Sequence, residues 1–132
     1  MSGAEFIHVY DLEKDREYVE RVQAATVQGG EFALRIDHGL FGTDQWWAAI
    51  RNGDVPTERL EGMIVQLYKT GEWPEFAVEV DGERSSWAMD GDVGRYRVGK
   101  GVHIEFMTAE YRKPPPEADA STRVVLGIWV EP

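Results

Sequence analysis

Few residues in this chain have the type and spacing to do chemistry, and the histidines come first. His8 lies in "FIHVY", His38 follows an aspartate in "IDHG", and His103 sits in "GVHIEFM". In an extended segment His103 and Glu105, two residues apart, share one face. Joined by His38 they would offer the nitrogen and oxygen ligands that zinc or iron accepts, or an acid–base pair. The spacing does not select for either, because a solvated strand face accounts for His103 and Glu105 equally well. The expected cofactor set is therefore none, and a metal-dependent enzyme using His38, His103 and Glu105 is the third reading. The chain has no cysteine, which removes thiol nucleophiles, disulfides and thiolate metal sites together. It has no Gly-x-Ser-x-Gly elbow, no phosphate loop and no dinucleotide fingerprint.

A second constellation is basic and aromatic. In "GDVGRYRVGKG" an extended reading puts Arg95 and Arg97 on one face, with Lys100 following and Tyr96 and Val98 pointing inward. A basic strip beside an aromatic such as Trp87 is how single-strand nucleic-acid binders are built. The charge of the whole chain argues against that use: 24 acidic against 14 basic side chains leave −10, spread along the sequence. Such a surface keeps molecules soluble, repels phosphates and favours a basic partner.

The remaining candidates are tryptophans. Trp73 precedes a proline in the turn "TGEWPE" and is the best candidate for an exposed ring; the direction of Trp87 in "ERSSWAMDG" is open; Trp129 ends the last apolar run. In "GTDQWWAAIRNGD" Thr43 is a good N-cap and Asp44 suits the positive end of a helix. With about 100° between successive residues and Trp46 at zero, Ile50 falls near 40° and Trp47 near 100°. The three make one apolar stripe of core-facing width, so the spacing predicts a short helix that seals a core with both indoles.

The elements that must position these residues read mostly as strands. "EFALRID" alternates Phe32, Leu34 and Ile36 against polar neighbours, "EFAVEVDG" does so with Phe76, Val78 and Val80, and "GKGVHIEFM" with Val102, Ile104 and Phe106, which leaves Met107 outward. "TRVVLGIWVE" is apolar on both faces and reads as a more buried strand. Glycine pairs and Asp-Gly steps at 81–82 and 90–91 punctuate the runs. Residues 19–39 and 60–82 share a pattern, each an apolar run, a glycine turn and an alternating return. Both are read as β-hairpins, which makes 17–28 a strand, although Tyr18, Val22 and Ala25 also fit a helical stripe. "RKPPPEADAST" reads as a surface loop with polyproline character.

From residue 57 on, the order of strands, the "YxxGxxVxIxF" run (Tyr96, Gly99, Val102, Ile104, Phe106) and the proline loop resembles a small barrel of the OB or SH3-like kind. The expected fold is mainly β: an antiparallel small barrel or strongly bent sheet with one short helix packed on it. Residues 1–132 are expected to form a single domain, with 57–132 the barrel-like part and 1–56 an N-terminal hairpin plus the tryptophan-bearing helix. The first residues lack the basic and apolar regions of a signal peptide, and no apolar run approaches the ~18 residues of a membrane span; a cytoplasmic location without membrane contact is expected. The leading functional expectation is a non-catalytic interaction domain for a protein or small ligand, of basic character, with Trp73, Trp87, Arg95, Arg97 and Lys100 as the binding candidates. An OB-like nucleic-acid binder is the second reading.

Overall fold

A computed structural model describes residues 5–30, 33–68, 73–112 and 121–132. Its elements are β1 (Ile7–Asp11), α1 (Arg16–Gln28), α2 (Asp44–Arg51), β2 (Glu58–Tyr68), β3 (Glu75–Val80), β4 (Glu83–Ala88), β5 (Gly101–Glu110) and β6 (Ser121–Val130), with short 3-10 turns at Leu12–Lys14 and Val93–Arg95. The six strands form one sheet in the order β1-β6-β5-β2-β3-β4. The β1–β6, β2–β3 and β3–β4 ladders are antiparallel. The fold is thus mainly antiparallel β with two helices. The sheet is not closed into the expected barrel, because β1 and β4 end it without pairing. Among the described residues no helix is long and apolar enough to cross a membrane.

The chain divides into two compact units. The first comprises Met1–Asp11, Arg59–Glu105 and Gly127–Pro132. Its interior is set by strand alternation: Phe76 and Val78 on β3, Ile64 on β2, Val102 and Ile104 on β5, and Ile128 and Val130 on β6 are all fully buried. Asp81 and Gly82 both take positive φ, 50° and 83°, which is the two-residue turn that matches strand twist and joins β3 to β4. Beyond β4 the chain crosses to β1. There Asp92 N–H donates to Val9 O at 3.2 Å, and Gly91 lies so close that a Cβ would stand 1.8 Å from that same oxygen.

The second unit comprises Leu12–Glu58 and Phe106–Leu126. It corrects the expected N-terminal hairpin. Residues 17–28, read as a strand, belong to helix α1. Asp15 caps its start, accepting from Tyr18 N–H at 3.3 Å, and Gly29 stops it in the left-handed conformation. Tyr18, Val19, Val22, Gln23 and Thr26 turn inward at helical spacing, and Thr26 is fully buried. The Gly29-Gly30 pair that resembled a hairpin turn is a helix stop, so 19–39 and 60–82 are not copies of one unit. Among the described residues of the run "EFALRID", Leu34 forms an isolated bridge to Tyr111. Leu34 is buried but Ile36 is exposed, against the alternation; Phe32 lies outside the described residues, as does most of the proline loop.

β5 departs from its expected pattern in one further way. Glu105 and Phe106 are both half-buried, and the alternation resumes one residue out of phase, so Met107 and Ala109 are buried where Phe106 was expected. The buried positions thus change from the even-numbered Val102 and Ile104 to the odd-numbered Met107 and Ala109. The change falls where the strand leaves the first unit, at Glu105, and enters the second, at Phe106.

Candidate functional site: an aromatic and cationic sheet face

In an antiparallel ladder, residues directly opposite each other point to the same side. Phe76–Trp87 and Ile64–Val78 are such pairs on the buried side of the first unit. Met63–Glu79–Arg84, Gln66–Ala77–Ser86 and Tyr68–Glu75–Ala88 therefore lie on the other side. His8 and Trp129 are also directly opposite, and their neighbours Ile7 and Val130 pair on the inner side.

At the centre of this outer face the side chains are stacked in a continuous array. His8 and Trp129 rings lie nearly parallel, 8° apart in plane, with centroids at 4.3 Å. The Arg59 guanidinium sits 5.7 Å from the Trp129 ring centroid, within cation–π range. Arg59 Nη2 also lies 2.7 Å from His103 Nδ1. A guanidinium has only donors, so this imidazole nitrogen accepts. His103 in turn stacks on Phe6 at 4.1 Å. Gly127 makes room for the array: a Cβ there would come within 2.7 Å of the Trp129 ring and 3.2 Å of His8 Nε2. Met63, 50 % exposed, continues the apolar surface along β2. Carboxylates surround it. Glu61 pairs with Arg59 at 3.1 Å and Glu79 with Arg84 at 3.4 Å, while Glu75 and Glu105 add further negative charge.

The residues singled out from the sequence are placed unevenly. Trp73 is 74 % exposed, in the segment just before β3. Trp87 is 3 % exposed; its Nε1–H donates to Ser85 Oγ at 2.8 Å, and it fills the interior beside Phe76. Arg95 and Arg97 do not share a strand face, because 93–95 form a 3-10 turn, and Arg95 lies 3.6 Å from Asp92. Within that segment Tyr96 is buried, as expected, but Val98 is exposed. The Tyr96 hydroxyl donates to Asp90 O at 2.5 Å. Burial, with the nearby Asp90 and Asp92 carboxylates, pushes its phenol well above the ordinary value. Lys100 Nζ donates to Pro132 O at 2.8 Å, so the lysine is held at the chain end. Sequence reasoning named His8 only as one of three scattered histidines, and it missed Arg59 and Phe6 altogether. The available signal was the parity of Arg59, Glu61 and Met63 opposite the buried Ile64.

His38 falls in the second unit, on a cleft of about 230 Å³. Phe41, Trp46, Val55 and Met107 are among its apolar lining, and Arg35, Asp37 and Glu110 are its charged residues. Arg35 is held by Asp37 and Glu110, each at 3.0 Å. Sites for drug-sized ligands run from roughly 300 to 1,000 Å³, so this cleft is small for one. Among the described residues no three His, Asp or Glu side chains are grouped to hold a metal ion; His38 lies in the second unit, and His103 and Glu105 in the first.

Residues 6–130 match the family described as Immunity protein RhsI2. The chain belongs to the RhsI2 immunity-protein family. That span includes the whole stacked array from Phe6 to Trp129, both helices and all six strands. Membership gives the chain a non-catalytic, protein-binding role. A comparison with individually curated proteins gave no match.

Proposed function

We propose that this protein neutralises a cognate Rhs toxin by binding it directly. The family match over residues 6–130 carries the reading. The architecture supports it: the outer sheet face of the first unit holds tryptophan, arginine and methionine, residue types enriched at protein interfaces. The net charge of −10 favours a basic surface on the partner and fast, salt-sensitive association.

The test is protection in cells followed by reconstitution. Bacteria expressing the cognate toxin should grow only when this chain is co-expressed, and the two purified proteins should co-elute as a complex. Continued growth arrest together with separate elution at micromolar concentrations would refute the proposal.

A further inference from the structure

We infer that the toxin docks on the outer sheet face of the first unit, and that its contacting surface is basic, with lysine or arginine side chains laid across Trp129 and Met63. The inference rests on the immunity reading and specifies which surface performs it.

Three observations carry it. First, the stacked chain His8–Trp129–Arg59–His103–Phe6 leaves its rings and guanidinium half-exposed or exposed, although each already has a partner on the face. Side chains fixed in this way lose little further freedom when a partner covers them, which is what makes aromatic and arginine residues effective anchors. Second, Met63 stays half-exposed in the middle of a strand whose neighbour Ile64 is fully buried. An adaptable thioether at that position suits a surface that is covered intermittently. Third, among the described residues Glu61, Glu75, Glu79, Glu105 and Asp11 lie on this face with Arg59 and Arg84, so carboxylates outnumber guanidiniums there. A phosphate-bearing or acidic partner would be repelled, whereas a cationic side chain can bury its stem on the rings and place its head among the carboxylates.

The experiment is titration calorimetry of the full chain with the purified cognate toxin domain. The variants are Trp129→Ala, Met63→Glu, Glu105→Lys and a control in the other unit, His38→Ala. Met63→Glu keeps the test sound if Trp129→Ala disturbs the fold, because it adds charge to an already exposed position. Circular dichroism melts confirm that each protein is folded. Trp129→Ala should weaken binding at least thirtyfold and Met63→Glu at least tenfold. Glu105→Lys should slow association severalfold at low salt, and His38→Ala should leave affinity unchanged. If wild type binds the toxin and the folded Met63→Glu and Trp129→Ala proteins bind as tightly, the docking surface is wrong while the immunity reading stands. If Glu105→Lys binds faster, the basic character of the partner is wrong. If wild type itself does not bind, the immunity reading fails and this inference with it.

Discussion

The two units use tryptophan in opposite ways. In the first, Trp87 is sealed in the interior and Trp129 lies on the open face, each on a strand where the next residue points the other way. In the second, Trp46 and Trp47 are adjacent on one helix, their rings 4.9 Å apart and nearly perpendicular, and Phe41 packs on Trp46 at 4.7 Å. A strand separates neighbours by about 180°, so it sorts identical residues to opposite environments. A helix separates them by about 100°, so two neighbours can share one apolar stripe. The strand unit is therefore the one that can hold aromatic surface outside while keeping an aromatic core.

The largest expected effect breaks this comparison most directly. Trp46→Ala should destabilise the protein by about 3–5 kcal/mol, since the ring is 6 % exposed and its removal leaves a cavity beside Phe41. Trp129→Ala should cost less, about 1–2 kcal/mol, because that ring is only half-buried. Urea unfolding of both variants checks the contrast, and equal losses would show that Trp129 is a core residue. Next in size is Ile50→Ala. The sequence stripe placed Ile50 beside Trp46 in the core, but the buried positions of α2 are Trp46 and Ala49, with Trp47 and Ile50 flanking them half-buried. The helix is rotated relative to the expected stripe, and the loss should be about 1–2 kcal/mol rather than the larger value of a buried isoleucine.

Alkaline titration sharpens the picture of the first unit. Tyr96 has its pKa raised above the ordinary 10.0 by burial first and by the Asp90 and Asp92 charges second. The unfolded chain ionises this phenol first. Its contribution is complete below pH 10 and is lost as the pH climbs towards the folded value, with a slope of up to about 1.4 kcal/mol per pH unit. Unfolding free energies measured from pH 9 to 11 should fall over that interval in wild type and fall less in Tyr96→Phe. The smallest effect belongs to Glu110→Gln. Arg35, Asp37 and Glu110 all have side chains more than half-exposed, so losing one carboxylate should change stability by less than about 0.5 kcal/mol. A loss above 1 kcal/mol would mark the cleft as a rigid, built site.

Much of the first unit was legible in the sequence. Phe76, Val78, Val102 and Ile104 are all fully buried, as their alternation predicts, and the Asp81-Gly82 turn follows from backbone sterics. The second unit was harder to read. The helical stripe of α1 was visible at Tyr18 and Val22, but its glycine stop reads equally as a hairpin turn, and only the Asp15 cap and the burial of Thr26 decide between them. The phase slip in β5 was invisible, because Phe106 and Met107 are both apolar and either could point inward. Of the candidate site, Trp129 was noted only as the end of a strand. Arg59 offered nothing local, since one arginine in a charged strand reads as solvated surface.

The sequence by itself determined the strands β3, β5 and β6, the turn at Asp81-Gly82, the capped tryptophan helix, the net negative charge and the absence of thiol chemistry. These follow from the chemistry of single residues and from spacings within one element. Only the tertiary structure decided that Arg59 meets Trp129 and His103, and that His8 lies over Gly127. Those contacts join positions 44 to 119 residues apart in sequence, and periodicity within a strand carries no information about which strand will lie beside it.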